Sequence, residues 1–287
     1  MSIVNTFSLQ SNRQIKINFD GGDLSSDAGL LLIKEFISKL GIERLLNRSF
    51  KTNDSAVFRY HTDRDNLLQM IYMIMAGYFE DDASDELTKD PIFFNRMDED
   101  TLKQFQEISQ ILRKRIYSIQ MPQAVILDLD STLLAAYGKQ EGRAFNFHYR
   151  SNGYHPLVCY AGITGDLIKI QLCDGAAYSC TGVTDFLQPI LDEYLNDYPT
   201  IHLLLRGDSG FATPDLYKQC EENGTSYVIR LMENFIKESK SGFDFSAVSS
   251  HNRIVNANRV QVHALAYNIF NWFRRLVLSA KMRKQRI

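Results

Sequence analysis

Two aspartates two residues apart, Asp128 and Asp130, lie in the apolar run VILDLDST (125–132), and a third, Asp208, closes the run LLLRGD (203–208). A glutamate, Glu233, stands seven residues before Lys240 in ENFIKESK. Carboxylates are the ligands of hard divalent cations, which accept oxygen donors and keep several waters. Two ions bridged by such acids activate an attacking oxygen and steady a leaving one in phosphoryl transfer, at a separation of about 3.5–4 Å. Asp130, Asp208 and Glu233 are therefore read as a candidate ligand set. Glu233 and Lys240, two helical turns apart, share a face on which a carboxylate and a phosphate-seeking ammonium are aligned.

Each acid has a plainer alternative. Asp130 could cap a strand-end turn through its side chain. Asp208 could belong to an Asp-Ser-Gly turn ahead of the helix that Pro214 starts. Glu233 and Lys240 could be the charged face of a surface helix. What favours chemistry is that Asp128 and Asp130 both project from one face of a short apolar strand, where an acid is costly without a role or a partner.

The elements that must position these acids follow from periodicity. Ser26-Asp27 offers a cap for a helix whose apolar face runs through Leu30, Leu31, Ile33, Phe36, Ile37 and Leu40, with Gly41 as its stop. Asp63 is expected to cap a buried helix from about Leu67, and a third helix is expected over 102–119, its end made basic by Arg113, Lys114 and Arg115 to suit the helix dipole. These helices predict a separate bundle over residues 1–120. From residue 121 the pattern changes to strands over 124–129, 157–163 and 167–173, then helix 182–195, strand 201–205, helix 214–223 and strand 225–231, with helices from 233 and over 255–280. Three strands followed by alternating helix and strand is the order of an α/β, ribonuclease H-like core.

Composition narrows the classes. A chain of 287 residues with 45% hydrophobic content suffices for one large domain or two ordinary ones. Its longest apolar stretch, Leu67 to Phe79, falls short of the ~20 residues of a membrane span, and the N-terminus does not read as a signal peptide. Cys159, Cys173, Cys180 and Cys220 form no C-x-x-C pair, which argues against structural zinc and for reduced thiols in a cytoplasmic protein. Net charge is −2, yet from Arg253 onward there are eight Lys or Arg and no acid, while residues 80–90 are strongly acidic. The basic segment is either a solvated helix face or a footprint for a polyanion.

Taken as a set, Asp130-Ser131-Thr132, Tyr137-Gly138-Lys139-Gln140-Glu141-Gly142, Gly153-Tyr154-His155-Pro156-Leu157, Arg206 to Phe211, Glu233 to Lys237 and Asn256-Ala257-Asn258-Arg259 resemble the DDE transposases of bacterial insertion sequences, in the branch with a Tyr-x₂-Arg-x₃-Glu-x₆-Lys signature. The resemblance implies a ribonuclease H-like core, with Asp130, Asp208 and Glu233 as catalytic acids that hold two Mg²⁺ or Mn²⁺ ions. It implies Lys240 as a phosphate contact, with Arg259, Arg274 and Arg275 as further candidates. The implied partner is double-stranded DNA, at terminal inverted repeats and target, bound by a homo-oligomer in the bacterial cytoplasm at the nucleoid. Here the signature reads Tyr227-x₂-Arg230-x₂-Glu233-x₆-Lys240, one residue short, and only 25 positions separate Asp208 from Glu233. A β-rich insertion is expected to be missing there, in a copy also shortened at its C-terminus. Two other readings stay open: a haloacid-dehalogenase-type phosphatase with Asp128 as nucleophile, since D-x-D-S-T resembles that motif, and a non-catalytic DNA-binding remnant.

Overall fold

The computed structural model describes residues 6–18, 28–56, 58–78, 96–229, 248–279 and 282. A small antiparallel pair, β1 (Thr6–Ser8) and β2 (Lys16–Asn18), precedes four helices: α1 (Gly29–Lys39), α2 (Ile42–Ser49), α3 (Asp63–Met75) and α4 (Glu99–Ile119). Strand β3 (Ala124–Ser131) opens the α/β part. A small sheet follows, β4 (Leu134–Ala135), β5 (Ala144–Asn146) and β6 (Ser151–Tyr154), and then β7 (Leu157–Ala161) and β8 (Leu167–Gln171). Helix α5 (Val183–Asp197), β9 (His202–Gly207), α6 (Pro214–Glu222) and β10 (Ser226–Ile229) lead to the long helix α7 (Arg253–Leu276).

The main sheet runs β10-β9-β3-β7-β8. Strands β3, β7 and β8 form an antiparallel meander, and β9 then β10 add in parallel on the other side of β3. Parallel neighbours need crossovers, which α5 and α6 supply. Counting from β3, the order is third, second, first, fourth, fifth, the arrangement that the ribonuclease H-like expectation requires. The sheet puts the carboxyl ends of β3 and β9 side by side at its centre.

Several local expectations change. Helix α1 begins after Ala28 with no side-chain cap, and Ser26-Asp27 lie outside the described residues. Gly41, in the left-handed conformation at φ 64°, ends α1 but also opens α2, a helix that sequence periodicity did not suggest. Thr62, not Asp63, caps α3, through a reciprocal capping box with Asp65. Asp63 instead turns inward to Thr52 and Arg59. The basic residues of α4 do not serve their own helix end: Arg113 is buried in a two-bonded pair with Glu193 of α5, and Arg115 donates to the carbonyls of Leu40 and Gly41, closing α1.

The N-terminal helices do not stand apart as a bundle. Their buried side chains join those of the sheet in one continuous core. Helix α7 is the joint: Phe273 meets Phe36 of α1 edge-on at 5.7 Å, and the Asn258 amide oxygen accepts from Thr101 Oγ1 of α4 at 2.9 Å. On its other side α7 lies along β8, the outer strand of the sheet. Asn268 bonds both the N–H and the carbonyl of Leu167, Gln261 donates to Ile170 and Arg253 to Leu172. Side-chain amides thus occupy backbone groups that an open sheet edge would offer to another strand.

Candidate active site at the ends of two parallel strands

Strands β3 and β9 pair in parallel with Asp128 opposite Arg206. Two residues beyond that last pair are Asp130, in β3, and Asp208, just past the end of β9, so the two acids follow neighbouring strands. Open α/β sheets place sites at carboxyl ends of strands, where the backbone diverges and side chains meet over the edge. One oxygen of each carboxylate is oriented locally. Asp130 Oδ1 accepts from the Ser131 N–H at 2.7 Å, and Asp208 Oδ1 accepts from the Gly210 N–H at 2.8 Å as it caps the short turn Ser209–Phe211. The capping turn expected as the alternative for Asp208 is therefore present. It fixes the carboxylate half-buried at the strand end.

Asp128 has a different task. Both its oxygens accept from the Arg206 guanidinium, at 2.6 Å each, in a planar fork. That hydrogen bonding raises the affinity of Arg206 for its proton. Gly162 closes the niche, because a Cβ there would run into the Asp128 carboxylate. A nucleophile needs an open oxygen, so the fork removes the geometric basis of the phosphatase reading.

Two segments wall the strand ends. Ser131 Oγ and Ser179 Oγ are 2.8 Å apart, which draws the loop after β8 across the end of β3. From the small sheet, the Tyr149 hydroxyl donates to the Ser131 carbonyl at 3.3 Å, and its ring meets His155, whose Nδ1 lies 2.7 Å from the Ala177 carbonyl. Among the described residues no three His, Cys, Asp or Glu side chains gather at metal-binding spacing. Glu233 and Lys240 lie outside the described residues. The donor set that is present, two carboxylates at adjacent strand ends, suits a hard cation.

The motifs around the acids turn out to be scaffolding. Asn256 is fully buried and donates to Gln140, Tyr154 and the Ser250 carbonyl, while its oxygen accepts from the Ser250 N–H. Gln140 in turn reaches the carbonyls of Tyr137 and Val248, and Tyr154 donates to the Glu141 carbonyl. Thus the Tyr-Gly-Lys-Gln-Glu-Gly run, Gly153-Tyr154 and Asn256-Ala-Asn-Arg meet in one buried network behind the site.

The remaining candidates separate along α7. Arg259 lies in its second turn and donates to Ser249 Oγ at 2.9 Å. Arg274 and Arg275 lie at its other end, beside the β7–β8 turn. That turn is at the end of the sheet opposite Asp130, because β7 runs antiparallel to β3 with Ala161 opposite Leu127. Arg275 donates to Asp166 at 2.9 Å, both side chains being largely buried, and Arg274 to Asn271 at 3.0 Å. Arg275 is thus committed to an internal acid, remote from the strand ends.

Comparison with known proteins agrees with the motifs. Among curated proteins none matches the chain. Solved structures give low overlaps: the catalytic domain of the Mos1 mariner transposase (9% identity, 63% of this chain and 93% of that one, TM-score 0.29) and a piggyBac transposase synaptic complex with hairpin DNA (14%, 74% and 44%, 0.28). A Mos1 paired-end complex with the left transposon end gives 9% identity, 97% and 85% coverage and a TM-score of 0.28. Overlaps this low carry no argument about the site. A family model, transposase DDE domain group 1, matches residues 7–232 and 231–287, nearly the whole sequence. The chain belongs to the transposase DDE domain family.

Proposed function

We propose that this transposase cuts DNA at the ends of a bacterial insertion sequence and joins the freed 3′ hydroxyl to target DNA, working as a homo-oligomer on double-stranded DNA at the nucleoid. The observation that supports the reading is that Asp130 and Asp208 each follow by two residues the last β3–β9 pair, Asp128 and Arg206, on adjacent parallel strands. Asp130, Asp208 and Glu233 would hold two Mg²⁺ or Mn²⁺ ions, which when bound supply activation of the attacking oxygen and charge neutralisation at phosphorus. The chain's own contribution is positional. The Ser131 and Gly210 N–H groups fix the rotation of the two carboxylates, and the Asp128–Arg206 fork locks β3 to β9 directly behind them. Lys240 and Arg259 are the phosphate contacts of this reading. Arg274 and Arg275 are not part of it.

The family match breaks at residues 231–232, just ahead of Glu233, which supports a missing segment between Asp208 and Glu233. The expected outcome is strand nicking that depends on Mg²⁺ but is inefficient. Asp130→Asn and Asp208→Asn should each lower nicking of end-bearing DNA by about a hundredfold or more. Independently of turnover, Mg²⁺ at about 100 times its dissociation constant should stabilise the wild type by ~2.7 kcal/mol in thermal melts, and the double variant not at all. Metal-dependent nicking that survives in the double variant would overturn the assignment. Binding of DNA with no nicking under any divalent metal would make this copy a non-catalytic remnant.

A further inference from the structure

The turn between β5 and β6 and the loop after β8 carry aromatic side chains turned outward. Phe147 is 86% exposed and Tyr178 82%, and Phe145 and Tyr149 are partly exposed. Such rings are expensive to leave in water, and the backbone of the turn that carries Phe147 and Tyr149 is anchored. The buried Asn146 accepts from the N–H groups of His148 and Tyr149 and donates to the Gly175 carbonyl, so the turn after β5 is clamped from beneath. Phe145 and Phe147 meet edge-on at 5.2 Å. Tyr149 is tied to the Ser131 carbonyl, one residue from Asp130, and Tyr178 immediately precedes Ser179, which is bonded to Ser131. Arg150, next in the turn, is exposed and adopts a left-handed φ of 51°. Within the turn from Phe145 to Arg150 there is no acid, and Arg150 and His148 are exposed.

Exposed aromatic faces beside an exposed arginine suit nucleic acid, and they select its form. A duplex hides the faces of its bases except at its ends, whereas an unpaired strand presents every face for stacking. We infer that the turn at residues 145–150, with Phe147 as its stacking residue and Arg150 as its phosphate contact, holds unpaired nucleotides of the DNA end next to Asp130. This rests on the cleavage reading given above and adds the strand form that the site takes.

The test uses the full chain carrying Asp130→Asn and Asp208→Asn, so that DNA stays intact. Fluorescence anisotropy compares a fully paired duplex with one bearing a short single-stranded 3′ extension that contains 2-aminopurine. Phe147→Ala and Phe147→Leu should each weaken binding of the extended duplex about tenfold and abolish the 2-aminopurine quenching, while Phe147→Tyr keeps both. All variants should bind the paired duplex equally. Equal affinity of the Ala variant and its parent for extended DNA overturns the inference, as does an equal loss on both duplexes. So does a change confined to self-association in light scattering, which would make the turn a protein contact. Nicking by the wild type is scored separately. If nicking is found and Phe147 proves indifferent, only the stacking site falls. If nicking is absent yet the extension is held through Phe147, the cleavage reading falls instead.

Discussion

At Glu35 a buried acid reports on how charge is kept inside this protein. The carboxylate is almost fully covered and accepts from the Gln10 and Ser11 N–H groups at 3.2 and 3.0 Å, with Lys39 at 3.8 Å. Burial alone would push its pKa up. The Ser11 and Gln10 hydrogen bonds and Lys39 outweigh that and hold it below the ordinary value. A depressed folded-state pKa means a stabilising contribution that is present above the unfolded value of about 4.3 and lost as pH falls through the folded one. Glu35→Gln should be less stable than the wild type at pH 7, and the gap should narrow as pH drops from about 5 to 3 in denaturant titrations. A gap constant over that range would show that the charge of Glu35 contributes nothing. Lys39 is one helical turn away, but the two N–H partners were not readable from the sequence, because they come from a segment 24 and 25 residues away. The same holds for Asp128. Its placement on one face with Asp130 follows from the period-two pattern, but its engagement by Arg206 depends on the register between two strands 78 residues apart.

Elements were legible where their pattern was long or apolar. Strands β3 and β9 and helix α6 lie within a few residues of their expected bounds, since buried apolar runs and Pro214 at a helix start are strong local signals. The small sheet escaped notice because its strands have two to four residues and show no alternation. Helix α7 was legible as a helix and misjudged in role. Its arginines suggested a solvated or DNA-facing surface, yet Asn256, Asn258, Asn268 and Asn271 along it are all buried. Polar side chains on this helix are its adhesive, each answering a backbone or carboxylate group of a neighbour. Arg275 belongs with them. Arg275→Ala should cost about 3 kcal/mol by leaving buried Asp166 without its cation. It should leave the salt dependence of DNA binding unchanged, because no phosphate contact is lost. A reduced salt slope at unchanged stability would return Arg275 to the DNA.

At the scale of the whole molecule, the α/β order was expected, while the unity of the core was not. A sequence read in windows suggests a bundle followed by a catalytic domain. The fold instead runs α7 back between them, with the Thr101–Asn258 bond joining positions 157 residues apart. The helical region and the sheet therefore share apolar surface that neither covers alone. A chain ending before Arg253 should fail to give a cooperative thermal transition and should aggregate, although every strand of the sheet is retained. A soluble, cooperatively melting truncation would show that the sheet and the N-terminal helices fold without α7.

The amides that α7 lays along β8 also set a schedule. Strand β8 ends at Gln171 and α7 at Leu276, so the ribosome adds 105 residues between making this edge and making its cover. At synthesis rates of about 5–20 residues per second, the edge is left waiting for roughly 5–20 s. During that interval the nascent sheet is open to pairing with any other extended chain, including a sister on the same message. Holdase chaperones and low expression would then matter to this transposase for a kinetic reason, independent of how stable the finished fold is.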